Sequence, residues 1–215
     1  MKLVKTLSIV LLIYTAAAGI LLEVPRLPIL NETIRVLYFH VPMWFTMIFL
    51  LLLSSVNAYR FISTKNIKYD LISYNYAHVG VYFGILGIIT GMIWANYTWG
   101  TFWTNDPKLN GSAIGLLIYF GYFILRNSIE DESKKAKVSS VYSVFAFSML
   151  IPLIFILPRL TDSLHPGNGG NPGFNVYDLN SQLRLVFYPA VIGFICLGLW
   201  ISNIKFKLLK LTDRR

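Results

Sequence analysis

One cysteine, ten acidic side chains and three histidines are all that 215 residues contain, and only 13% of the chain is charged. The lone thiol, Cys196, excludes an intrachain disulfide, a thiol pair and any cysteine-based metal site; it reads as a small packed residue. So little charge, beside 55% apolar residues and a mean hydropathy of +0.59, excludes an ordinary soluble domain, which needs more polar surface. The scarcity of histidine narrows the chemistry, because any imidazole site must draw on His40, His78 and His165. Tandem repeats and low-complexity tracts are also missing.

What is present is apolar sequence in six blocks, at about 3–22, 36–59, 79–97, 111–127, 138–157 and 185–206. Each approaches the ~20 residues that carry a helix across ~30 Å of hydrocarbon, the fourth being the shortest. Lipid offers no partner for backbone N–H and C=O groups, and the blocks lack the alternation of barrel strands, so they must be helices. The expected fold is all-α: a polytopic integral membrane protein, one domain over 1–215, with six transmembrane helices. The opening "MKLVKTLSIVLLIYTAAAG" has a basic start and small residues like those of a signal-peptidase site. The apolar run continues through Ile20, Leu21 and Leu22, so we read a retained helix; cleavage would leave the other five in the same orientation.

Positive charge sets the orientation. With a cytoplasmic N-terminus, only Arg26, Arg35, Lys108, Arg159 and Arg184 of the 19 basic residues fall outside, as the positive-inside rule requires. Both termini are then cytoplasmic. The net charge of +9 is a topology signal with some attraction to anionic lipid, not a nucleic-acid footprint, because the charges are scattered over short loops. The inner segments "FISTKNIKYD" and "RNSIEDESKKAKVSS" read as solvated connectors. Outside lie a short loop at about 23–35, a tryptophan-rich loop at about 98–110 between helices 3 and 4, and an irregular loop at about 158–184, "SLHPGNGGNPGFNVYDLNSQLR".

The stretch "WANYTWGTFWTNDPKLNG" concentrates Trp94, Trp99 and Trp103 at the edge of the bilayer. Topology puts His40, in "YFHVPMW", and His165, in "DSLHPG", on that same outer side, and His78, in "NYAHVG", at the inner end of helix 3. Each feature also has a plain explanation. Tryptophans anchor helices at interfaces, Asp106 can cap helix 4, Pro107 can shape a turn, and a single histidine can be a hydrogen-bonded structural residue. For His78 the structural explanation is adopted. Two outer histidines beside an aromatic loop, however, suit one ligand. Haem offers a flat π-surface for the aromatics, iron for imidazole, and propionates for Lys108, Arg35, Arg159 or Arg184. Gly100 and Gly111 would admit backbone close to the ring. A quinone or lipid headgroup would also accept an aromatic shelf, but iron gives the two histidines a shared purpose.

At these residues a resemblance appears. "WGTFWTNDPKL" resembles the WWD signature, roughly WGxxWxWDxRL, of the cytochrome c assembly proteins that handle haem. "YFHVP" and "SLHPG" are similar to the two histidine segments of the six-helix CcmC-type (cytochrome c maturation protein C) members of that family, and the likeness covers nearly the whole chain. The resemblance implies haem b (iron protoporphyrin IX), transiently bound on the outer face with His40 and His165 as axial ligands. Loop contacts would come from Trp99, Gly100, Trp103, Asp106, Lys108 and Leu109. It further implies a bacterial inner membrane and a haem site on the periplasmic side. The implied partners are a periplasmic haem chaperone (CcmE-type), ABC transporter subunits (CcmA/CcmB-type) and a small single-span subunit (CcmD-type). That role is haem delivery rather than catalysis, so no catalytic residue is expected. Departures from the signature are Asn105 in place of a second tryptophan, Phe102, which keeps a ring but lacks an indole N–H, Lys108 for arginine, and Pro107 where a small residue is usual.

Rival readings come from other classes. A membrane cytochrome b would hold haem within the bilayer on facing helices, often near both faces, but His78 has no second inner histidine to pair with. A non-binding scaffold subunit would explain the tryptophans as a belt. A transporter conducting haem would carry ionisable side chains inside the membrane, and the apolar blocks carry no clear one.

Overall fold

The computed structural model describes residues 1–27, 29–165 and 179–212. Among them, six helices are long and apolar enough to cross a membrane: Lys2–Leu21, Asn31–Thr64, Ile67–Trp99, Pro107–Asn127, Glu132–Leu160 and Ser181–Leu209. We label α1 Lys2–Leu21, α2 Leu37–Thr64, α3 Ile67–Trp99, α4 Pro107–Asn127, α5 Glu132–Ile151, α6 Leu157–Leu160 and α7 Ser181–Thr212. A 3₁₀ segment, Asn31–Val36, leads into α2, and a π turn at Pro152–Ile156 joins α5 to α6 as one span. Pro152 opens that π turn, where a residue without an N–H is least costly to the α ladder.

Most helices outrun their apolar blocks. The polar ends expected as connectors are helical, and α2 and α3 are separated only by Lys65 and Asn66. Lys65 is in the left-handed region (φ 57°) and Asn66 caps α3 by accepting from Lys68 N–H at 3.0 Å. Two supposed connector residues are in fact buried: Asp70 and Arg126 form a bidentate pair at 2.6 and 2.7 Å, 2% and 6% exposed. The pair closes the end of α3 against the end of α4, where composition suggested only solvated charge. Burial of a charge at that depth is tolerable only because the fork satisfies both oxygens.

α2 is the central helix, packed against α3, α5 and α7, while α1 leans on α7 and α4 on α5. Met47, Leu50 and Leu51 of α2 are fully buried, among Val79 and Phe83 of α3, Leu116 and Tyr119 of α4, Leu150 of α5 and Phe194 of α7. Close packing of α2 on α3 has a clear sequence cause. Gly80, Gly84, Gly87 and Gly91 recur at helical spacing along one face of α3, opposite Leu51, Met47, Trp44 and His40. A side chain at any of the four would strike its partner on α2. Ser54 adds hydrogen bonds across the bundle, to the Ser73 carbonyl at 2.8 Å and to the Ser143 hydroxyl at 3.2 Å.

A smaller apolar cluster of Ile34, Leu37, Tyr38, Leu179, Leu183, Val186 and Phe187 closes the other end, with Trp94 against it. This cluster fixes the start of α2, and therefore His40, against the start of α7.

Candidate functional site

His40 lies in the first turn of α2 and is 8% exposed. Its Nδ1 is 3.0 Å from Thr90 Oγ1 on α3. The Thr90 hydroxyl spends its proton on the Leu86 carbonyl at 2.8 Å, with Gly87 O at 3.1 Å, so its oxygen is left to accept from the imidazole. Nδ1 therefore carries the hydrogen and Nε2 keeps its lone pair. The ring is held edgewise by Trp44 and Trp94, at centroid distances of 6.4 and 5.8 Å. Gly91 makes room for it, since a Cβ there would stand 2.7 Å from His40 Cε1.

His165 is built in the same way from different parts. Its Nδ1 is 3.0 Å from Asp106 Oδ1, and Trp99 meets its ring edge-on at 5.2 Å. A carboxylate can only accept, so here too Nδ1–H donates and Nε2 keeps its lone pair. The ring is less covered than that of His40, with its side chain 23% exposed.

Asp106 joins the elements. Oδ1 caps α4 by accepting from the N–H groups of Lys108 (2.9 Å) and Leu109 (3.2 Å) as well as from His165. Oδ2 accepts from the Ser163 hydroxyl (2.9 Å) and the Leu164 N–H (2.8 Å). Burial alone would raise the carboxyl, but the hydrogen bond from His165, with those from Leu164 and Ser163, outweighs it and holds it well below the usual carboxylate range. A shallow groove lined by Thr104, Asn105, Asp106, Asp162, Ser163 and Leu164 runs where the two segments meet.

The remaining expected contacts divide. Trp99 ends α3, Gly100 caps it in the left-handed region (φ 78°), and the loop proper spans only residues 100–106. Trp99 is thus a helical, not a loop, residue, and Trp94 is helical as its apolar block implies. Trp94 Nε1 donates to Thr33 Oγ1 at 3.2 Å. Trp103 is 40% exposed, and its Nε1 donates to Asn110 Oδ1 at 3.2 Å. Asn110 Nδ2 in turn donates to Asn105 Oδ1 at 2.7 Å, so the departure at Asn105 supplies the acceptor that orients the residue holding Trp103. Leu109 is buried beneath the loop at 8% exposure, and Lys108 lies in the first turn of α4, its N–H on the Asp106 carboxylate. Gly111 does not serve the loop as expected, because its bare Cα faces the Leu153 carbonyl. Nor is Arg35 poised for a propionate: its Nη1 donates to the Gly19 and Leu22 carbonyls at 2.6 and 2.8 Å and its Nε to Glu32 at 2.7 Å. Arg184 Nε is likewise spent on the Leu179 carbonyl at 2.8 Å. Much of the third outer loop, residues 166–178, lies outside the described residues.

The separation of the histidines holds. His78 lies twelve residues before Thr90 on α3, about 18 Å along the axis. Its neighbours are Lys205, Tyr74, Tyr82 and Phe123. Sequence reasoning missed Thr90, Gly91 and Ser163. The first two carried a signal, since Gly87, Gly91 and Trp94 share a helical face with Thr90 beside it; Ser163 carried none.

Similarity to known proteins bears on this arrangement. Residues 1–214 match the family model described as CcmC, heme exporter protein C. A heme exporter protein C of Rhodobacter capsulatus is 29% identical over 172 residues, 74% of this chain and 69% of that protein. A putative cytochrome c biosynthesis ccmC-like mitochondrial protein of Marchantia polymorpha is 27% identical over 135 residues, 63% of this chain and 56% of its own length. Cytochrome c biogenesis protein CcsA of Prochlorococcus marinus shares 43% over a shorter stretch of 65 residues, 30% of this chain and 21% of that protein. For several of these relatives the matched region spans only about half of their length. With the family model covering almost every residue, this polytopic membrane protein belongs to the heme exporter protein C family.

Proposed function

We propose that the protein handles haem in c-type cytochrome biogenesis, holding iron protoporphyrin IX as cargo between Nε2 of His40 and Nε2 of His165. The observation that carries this reading is the matched pair of imidazoles. Each has Nδ1 committed to an acceptor, Thr90 for one and Asp106 for the other, which leaves the nitrogen that a metal needs. Both rings lie at one end of the bundle, each with tryptophan edges against it. Family membership supports the same cargo.

The two ligands have different duties. His40 is enclosed by helices and is the fixed ligand. His165 is more open, on a segment bonded to Asp106 through Ser163 and Leu164, and is the one that exchanges when a recipient's ligand arrives. Trp103, half-exposed on the loop, offers a face for the macrocycle that leaves its edge free. Such a component needs no catalytic constellation, because capture and release are its whole task. The charge count supports placing this end on the periplasmic side of a bacterial inner membrane. The recipient is then a periplasmic haem chaperone, with ABC transporter subunits and a small single-span subunit completing the assembly.

In cells that depend on this chain for c-type cytochromes, replacing His40 and His165 together with alanine should abolish haem-stained cytochrome c. His78→Ala should leave it near the wild-type level. Persistence of the cytochromes in the double variant would refute the reading.

A further inference from the structure

At the end of the bundle away from the loop, one cation has neutral groups as its partners among the described residues. The Lys205 ammonium on α7 contacts His78 Nδ1 and lies 5.8 and 5.9 Å from the ring centroids of Tyr74 and Tyr82. Tyr74, His78 and Tyr82 stand four residues apart and so share one face of α3. Phe123 of α4 closes the cluster, its ring 4.6 Å from that of His78. Tyr82 is 55% exposed, so the groove opens sideways, toward lipid rather than into the bundle. Among the described residues no carboxylate lies within ion-pair distance of Lys205, and the nearby Asp70 is occupied by both arms of Arg126.

The physics of this cluster calls for an anion. Tyrosine faces and an imidazole lone pair attract an ammonium but leave its full charge uncancelled. Because Nδ1 accepts from Lys205, the neutral His78 ring carries its hydrogen on Nε2, a second donor beside the ammonium. Depth favours an anion that belongs to the membrane. Lys205 lies about 36 Å along α7 from Ser181, against a hydrocarbon core of ~30 Å, which puts it at headgroup level in the leaflet opposite the loop. A lysine merely snorkelling to water would extend along its own helix, away from an aromatic groove.

We propose that Lys205 and His78 bind the phosphodiester headgroup of an anionic phospholipid, with its acyl chains along the α3 face at Tyr82. The site is independent of the haem reading. Native mass spectrometry of the detergent-purified protein with phosphatidylglycerol, phosphatidylcholine or inorganic phosphate tests it. Wild type should retain phosphatidylglycerol in preference to phosphatidylcholine, and Lys205→Met should lower that retention by about fivefold. His78→Phe, which keeps a ring in place, should lower it in the same direction, so the result does not depend on one variant folding. Lys207→Ala, which removes an exposed charge two residues on, should change nothing. Equal losses for Lys207→Ala and Lys205→Met, or no loss in either groove variant, would overturn the proposal. Displacement of the lipid by millimolar inorganic phosphate would also overturn it, in favour of a soluble phosphate.

Discussion

Replacing Asp106 with alanine is expected to lower haem occupancy of the purified protein by about 10- to 100-fold, although Asp106 is not itself a ligand. One carboxylate accepts hydrogen bonds from Lys108, Leu109, Ser163, Leu164 and His165. Without it, His165 loses the partner that fixes its tautomer, its segment loses two anchors to the loop, and α4 loses its cap. The cap alone accounts for about 1 kcal/mol, too little to unfold a six-helix bundle, so circular dichroism should stay near wild type. Asp106→Asn keeps one carbonyl oxygen for capping or for His165 but turns an N–H₂ toward the Leu164 N–H; its occupancy should fall between the two. Haem titration read by absorbance measures all three, and unchanged occupancy in Asp106→Ala would show that His165 is not held for iron.

The second large effect is expected from a residue with no side chain. Gly91→Val should destroy the low-spin spectrum as fully as His40→Ala, while leaving the imidazole in the chain. A first Cβ at this position already comes within 2.7 Å of His40 Cε1, and Trp44 and Trp94 stand on other sides of the ring. The imidazole must swing away from Thr90, which breaks the bond that sets its tautomer. Gly193→Val, on the face of α7 that meets α1, serves as the comparison, because the atoms it crowds are those of Leu11 and Leu12 and not of either histidine. Absorbance of the haem-loaded variants distinguishes the two, and a wild-type spectrum in Gly91→Val would mean that His40 is free to move and is not preset.

How far these features could be read from the sequence depends on their range along the chain. Six spans, their helical character and the distance of His78 from the other two histidines follow from block hydrophobicity, because lipid leaves the backbone few alternatives. Helix ends do not follow so simply. Hydropathy locates the apolar middle of α3 but not its polar first turns, which are helical because Asn66 caps them and Arg126 neutralises Asp70. Both charges looked like connector residues for want of any sign that they meet across 56 positions.

The site shows the same division. His40, His165 and the loop residues could be named from local motifs. Their second partners could not, because Thr90 is 50 residues from His40 and Asp106 is 59 from His165. Asn105 looked like a loss when set beside the signature, yet it supplies the acceptor that Asn110 uses. Arg35 and Arg184 looked available as cations, yet backbone carbonyls take up Nη1 of the first and Nε of the second. Charge in a sequence gives an expected side of the membrane; the carbonyls that compete for it emerge only with the fold.

The most direct test is the absorption spectrum of the ferric, haem-loaded protein in detergent, recorded for wild type, His40→Ala, His165→Ala and His78→Ala. A low-spin, two-imidazole spectrum is predicted for wild type and His78→Ala, with conversion to high spin or loss of haem in each of the other two. A high-spin wild type, or a low-spin spectrum that survives in His40→Ala and His165→Ala alike, would contradict it.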